Sequence, residues 1–165
     1  MNIIAQPLDA AAFAPYGEVL APPAEPGRVY FEKGLQNGRA SAWPSLSTMH
    51  TLPLATLRLE AAILERHAFS SQSFMPLDVS RWLVIVAPPA PNSGPDPTRA
   101  LAFVAGPGQG ITYHMGTWHH GLTVLDRPSR FAVFMWRDGT QADEEFVTLR
   151  ASFTVIVPPA RAAAA

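Results

Sequence analysis

Cysteine is absent from this 165-residue chain, so disulfide frameworks, thiolate nucleophiles and Cys-ligated zinc are excluded together. Charge is scarce as well: Asp, Glu, Lys and Arg make up 15% of the residues, and twelve basic against thirteen acidic side chains leave a formal charge of −1. The basic residues are scattered, and a nucleic-acid surface needs a basic face to neutralise phosphates, so none is expected. A small-molecule substrate is the expected partner. Long apolar runs are missing too. The longest, Trp82 to Pro91, contains Pro88 and Pro89 and falls well short of the roughly 20 residues of a membrane span. At the N-terminus no basic region precedes an apolar stretch, and Pro7 and Asp9 interrupt what apolar character there is. A soluble, cytoplasmic protein with no membrane association is expected.

Apolar residues reach 48%, enough to bury a core without a structural metal. Seventeen prolines and eleven glycines are spread along the chain between short apolar segments, which predicts an all-β domain with many turns. One domain spanning 1–165 is expected, with 1–47 as an N-terminal extension and loops, 48–157 as a barrel and 158–165 as a frayed tail. Leu8 to Phe13 is expected as a short peripheral helix on the barrel's exterior, with Asp9 capping it and Pro15 ending it. Alternation predicts strands at Leu57 to Glu60 and Ile63 to His67 with a bend at Ala61-Ala62. Further strands are expected at Ser73 to Leu77, Arg81 to Ala87, Ala100 to Ala105, Gly110 to His114, Gly121 to Leu125 and Arg130 to Arg137. Phe146 to Val157 reads as a late strand or ordered tail, and Pro88 to Pro97 as a surface loop.

Four of the five histidines fall in two short segments. In the first, LERHAFSSQSFMPL, Glu65 and His67 lie two apart, so on a strand both project from one face while Arg66 projects from the other. Gln72 follows on the next strand or the turn into it; an amide can coordinate or donate hydrogen bonds but cannot act as a base. In the second, GQGITYHMGTWHHGL, Gly116 permits a tight turn between His114 and His119. His114 is read as reaching the pocket as acid or base, with Tyr113 facing the opposite way, and His120 as facing away from His119. Gly106-x-Gly108-x-Gly110 lacks a following Lys-Ser/Thr and leads into a strand, so it does not bind nucleotide phosphates. Ser70 and Ser71 lack an elbow motif around them, which argues against serine nucleophilic catalysis.

The spacing Glu65-x-His67-x4-Gln72, followed by Gly116-x-x-His119, resembles the two signature segments of cupins with substitutions. The full strings, together with Ala12-Phe13-Ala14-Pro15-Tyr16-Gly17-Glu18-Val19, resemble the ureidoglycolate lyase family within that superfamily. The stretch Gly34 to Ser41 departs from that pattern. The resemblance implies an all-β double-stranded β-helix barrel, cleavage of ureidoglycolate to glyoxylate and urea, and a homodimer. It places Glu65, His67, Gln72 and His119 at the positions of the cupin site. From the residues themselves, Glu65, His67, His114 and His119 are the candidate catalytic groups and Gln72, Trp118 and Arg137 the candidate substrate contacts, with Trp118 reading also as a lid or core residue and Arg137 as a solvated strand end. The resemblance further implies a divalent metal on His67, His119 and Gln72, with Glu65 as the alternative ligand, and no organic cofactor. Dimerisation is expected through apolar edges at Ile3-Ile4 and Val155-Ile156-Val157. Two other classes fit the same pattern: a metal-dependent cupin oxygenase or isomerase, and a non-catalytic small-molecule-binding cupin.

Overall fold

The computed structural model describes residues 1–160. Among these residues, thirteen strands are arranged in two sheets that face each other. The strands are β1 (Asn2–Ile4), β2 (Gln6–Pro7), β3 (Gly17–Leu20), β4 (Trp43–Thr51), β5 (Arg58–His67), β6 (Gln72–Asp78) and β7 (Trp82–Ala87). They continue with β8 (Leu101–Ala105), β9 (Gly110–Tyr113), β10 (Trp118–His119), β11 (Thr123–Val124), β12 (Ser129–Arg137) and β13 (Glu144–Ile156). The larger sheet runs β1-β13-β5-β10-β7-β8-β2, with β11 also on β7, and the smaller runs β3-β9-β6-β12-β4. The result is an all-β, double-stranded β-helix barrel.

The run Trp82-Leu83-Val84-Ile85-Val86-Ala87 is buried at every position, as a strand covered on both faces must be. Trp82, Val84 and Val86 point into the barrel and meet Phe74, Ile111, Phe131 and Val133 of the smaller sheet. Edge-on ring packing fixes this layer, with Trp82 and Phe131 centroids 5.1 Å apart. Leu83, Ile85 and Ala87 point the other way and pack with Leu64, Phe153 and Val155, because the larger sheet curls over its own outer face. The curl follows a register irregularity between Thr148 and Phe153 of β13.

Several boundaries differ from expectation. The first 47 residues are not only extension and loops: β1 joins β13 in parallel, β2 joins β8 in parallel, β3 joins β9, and β4 already begins at Trp43. Pairing with strands far away in sequence, not local pattern, makes these segments extended. β5 runs as one strand through Ala61-Ala62, and the irregularity of the ladder to β13 falls opposite Ala62, between the pairs Ile63–Thr148 and Ala61–Phe153, with Ala61 fully buried. Asp9 does cap the helix Ala10–Phe13, accepting from Ala12 N. That helix is not merely exterior, since Phe13 is fully buried in the barrel core beside Phe103 and Tyr113. Gly17 lets the chain pass there, because a Cβ would fall 2.0 Å from Thr112 O and 2.8 Å from the Phe13 ring. Of the tail expected to fray, Pro158 is tied down by Arg81, whose Nη1 donates to its carbonyl at 3.0 Å, and 161–165 lie outside the described residues. The edge Val155-Ile156-Val157 is not free: β1 pairs along β13, and Val155 and Val157 are buried.

Candidate active site

Glu65 of β5 and His119 of β10 are direct cross-strand partners, so their side chains emerge side by side on the barrel's inner face. His119 Nε2 lies 3.4 Å from Glu65 Oε1, within ion-pair reach but off the line of a hydrogen bond. On the other side of the ring, Nδ1 is 2.9 Å from the carbonyl oxygen of Thr117. A carbonyl can only accept, so that contact puts a proton on Nδ1 and leaves Nε2 as the variable position. His67, two residues beyond Glu65, faces His119 with ring centroids 5.9 Å apart. Gln72, opening β6, pairs with Tyr113 on one side and Met135 on the other.

Four buried atoms here have no hydrogen-bond partner: both ring nitrogens of His67, Nε2 of His119 and Oε1 of Gln72. Leaving a buried polar group unpaired costs about 1–3 kcal/mol each, so their concentration in one place marks a site built for a ligand. Glu65 is less enclosed, with its side chain 23% exposed, and connects the site to solvent. Desolvation pushes its carboxyl up, but His119 against it outweighs that, holding it below the ordinary 4.5. His67 moves down from 6.5: desolvation and the neighbouring His119 disfavour its charged form more than Asp143 and Glu65 support it. The site therefore sets an ionised carboxylate beside a neutral His67 imidazole.

Asp143 backs His67 from the loop before β13. Its carboxylate accepts from Phe69 N and Ser70 Oγ, each at 2.6 Å, and stands 3.7 Å from His67 Nδ1 and 3.6 Å from Arg39 Nη2. Arg39 in turn donates to Asp138 at 2.6 Å. It comes from the stretch that departs from the family pattern. Neither Asp143 nor Arg39 was legible beforehand, since each sits in a loop without periodicity and reaches the site only through distant pairing. Ser70 serves this network as a donor.

Of the residues expected in the site, Glu65, His67, Gln72 and His119 come together. His114 does not: strand alternation in β9 turns Tyr113 inward and His114 outward, where it lines a separate cleft of about 650 Å³ with Arg99, Tyr16 and Gln36. The expectation for Tyr113 is thereby reversed, and its ring stacks on His119 with centroids 4.1 Å apart and planes inclined by 19°. Trp118 takes the core place that is one of its two readings. It pairs with Ala87, points into the outer core cluster, donates from Nε1 to Ser93 O and carries Arg66 over its ring. His120 turns toward Gly121 O and Thr123, as expected of a neighbour of His119. Arg137 stands at the exposed end of β12, opposite Trp43.

No three His, Asp or Glu side chains among the described residues are grouped closely enough to hold a metal by themselves. The unpartnered atoms are two imidazoles and an amide oxygen, a neutral set that fits a weakly held ion with Glu65 adjacent.

A double-stranded β-helix with imidazoles, a carboxylate and an amide converging between its sheets defines a cupin. The fold is shared with a dTDP sugar isomerase from Desulfovibrio desulfuricans G20, at a TM-score of 0.51 and 20% identity over 82% of this chain and 83% of that one. A family model described as Ureidoglycolate lyase matches residues 1–156, and the chain belongs to that family. It is 33% identical to a ureidoglycolate lyase of Pseudomonas fluorescens, over 88% of this chain and 91% of the relative. Identity to a ureidoglycolate lyase of Schizosaccharomyces pombe is 29%, over 87% and 88% of the two chains.

Proposed function

We propose that this chain is a carbon–nitrogen lyase that splits ureidoglycolate into glyoxylate and urea, with Glu65 and His119 as its proton-transfer pair. The observation that carries this reading is their juxtaposition at 3.4 Å on one inner face. Ureidoglycolate carries a hydroxyl and a ureido nitrogen on the same carbon. Cleavage needs a base for the hydroxyl proton as the carbonyl forms, and an acid for the departing nitrogen as the C–N bond breaks. Glu65, kept ionised, takes the first proton, and His119 gives one from Nε2 to urea. His119 thus starts the cycle with a proton on each ring nitrogen and ends it neutral, while Glu65 ends protonated, and transfer from Glu65 to Nε2 of His119 across the short gap restores the pair with no net proton change.

In this reading the Gln72 amide binds the ureido group, and His67 lies beside the reacting carbon as a neutral imidazole with both ring nitrogens free for a ligand. Arg137, at the barrel's mouth, takes the substrate carboxylate. A divalent ion held by His67, His119 and Gln72 would take Nε2 of His119 as a ligand, so it is an alternative to the proton-donor role of that atom; in such a form it would lower the pKa of the substrate hydroxyl. We further infer a homodimeric, cytoplasmic enzyme serving purine nitrogen breakdown through allantoin.

The test is a coupled assay for urea released from ureidoglycolate, run with and without chelator. Release that Glu65→Gln lowers by about 10²-fold or more supports the reading. No urea from the folded protein, with or without added divalent metal, overturns it.

A further inference from the structure

Histidine 119 is carried by β10, a strand of two residues. Its backbone is fixed on both sides, by Glu65 of β5 and Val86 of β7, but nothing in that pairing fixes the plane of its ring. The contact from Nδ1 to Thr117 O holds one point of the imidazole and leaves rotation about that point open. A second restraint is needed to keep Nε2 beside Glu65. The residue that meets this need is Tyr113, nearly parallel to the imidazole at 4.1 Å.

Tyr113 is itself rigid. It is 3% exposed, closes β9 between Gly17 of β3 and Gln72 of β6, and is flanked by Phe13 at 6.0 Å and, edge-on, by Phe74 at 6.1 Å. A flat, immobile surface against one face of an imidazole removes the freedom that its single hydrogen bond leaves. The ring, not the hydroxyl, makes this contact.

We propose that Tyr113 is a positioning residue for His119, acting through its aromatic face to hold Nε2 toward Glu65 while giving up no proton in the reaction. The proposal rests on the Glu65–His119 pair being catalytic. Burial, and the Glu65 carboxylate, push the phenol above its ordinary value of 10, so the hydroxyl stays protonated throughout the working range.

Three substitutions separate the roles. Tyr113→Phe keeps the face and removes the hydroxyl; Tyr113→Met and Tyr113→Leu remove the face while keeping an apolar side chain. Turnover of Tyr113→Phe is expected within about 2-fold of the parent. Tyr113→Met is expected to lose on the order of 10-fold or more in kcat with KM little changed, the scale on which misplaced catalytic groups act. In 15N-edited NMR of the imidazole rings, the parent and Tyr113→Phe should share one His119 tautomer pattern, and Tyr113→Met should show an averaged one. Should Tyr113→Met not fold, Tyr113→Leu carries the same comparison, and the Phe variant alone decides whether the hydroxyl matters. A Phe variant as impaired as the Met variant would overturn the proposal in favour of an acid role. An unchanged His119 pattern in Tyr113→Met or Tyr113→Leu would overturn it as well. Full activity in His119→Ala would instead overturn the catalytic reading of the pair, and the NMR comparison would still judge the stacking.

Discussion

His119 and His120 are adjacent, both largely buried, and chemically identical, yet the barrel gives them different surroundings. One ring lies against Tyr113 with Nε2 unpartnered beside Glu65; the other turns to Gly121 O and Thr123 Oγ1. His119→Ala is therefore expected to lower kcat by about 10²-fold or more, and His120→Ala by much less, with circular dichroism unchanged in both. Equal losses would move the site to His120. The pH profile follows from Glu65. Because its carboxyl is held below 4.5, the base form survives as pH falls through 6 and 5, and is lost only as pH drops through the lowered value. A kcat/KM profile flat on its acid side down to about pH 5 is expected. An acid limb centred near the ordinary histidine value of 6.5 would assign the base role to an imidazole.

At the scale of elements, the turn between β9 and β10 decides where the second histidine segment points. Gly116 adopts φ +78°, and its N–H donates to His67 O at 2.7 Å, tying this turn to the end of β5. A Cβ there would meet nothing within 4 Å, so the penalty for Gly116→Ala is one of backbone conformation alone. A loss of about 1 kcal/mol in urea unfolding is expected, with a larger relative loss of turnover, since the turn sets the orientation of Thr117 and His119. Stability equal to the parent would show that the turn relaxes freely. The same segment shows what a sequence discloses. Alternation correctly separated Tyr113 from His114, as it separated Glu65 from Arg66, but periodicity does not say which face is inward. Reactivity favours His114 as the inward side chain, yet the fold turns Tyr113 inward, against His119. Long strands such as β7 and β12 were readable from their apolar content. The pairs β1 with β13 and β2 with β8 were not, because a strand of two or three residues has no period and exists only through its distant partner.

For the molecule as a whole, Ile3-Ile4 lie on an edge strand as expected, since β1 ends the larger sheet and Ile4 is exposed, but a longer edge lies elsewhere. β4 bonds only to β12, and along it Trp43, Leu46 and Met49 are exposed, with Leu52 just beyond. A nine-residue edge of this kind presents unpaired backbone groups beside apolar side chains, which favours association. Light scattering at micromolar concentration is expected to give the mass of a dimer, and Leu46→Lys with Met49→Lys to lower it; a monomer mass in the parent protein would remove this expectation.

The position of β5 in the larger sheet has a consequence for how the protein is made. Its two hydrogen-bonding neighbours, β10 and β13, both follow it in sequence, and Arg66 meets Glu145 across 79 positions. At the usual pace of a ribosome, roughly 5–20 residues per second, β5 waits on the order of ten seconds for its last partner to be synthesised. Both of its edges are open until β10 is made, the edge toward β13 stays open for the whole interval, and Ala61 and Leu64, fully buried in the finished fold, are uncovered meanwhile, which leaves this strand open to chaperone capture or to pairing with another chain.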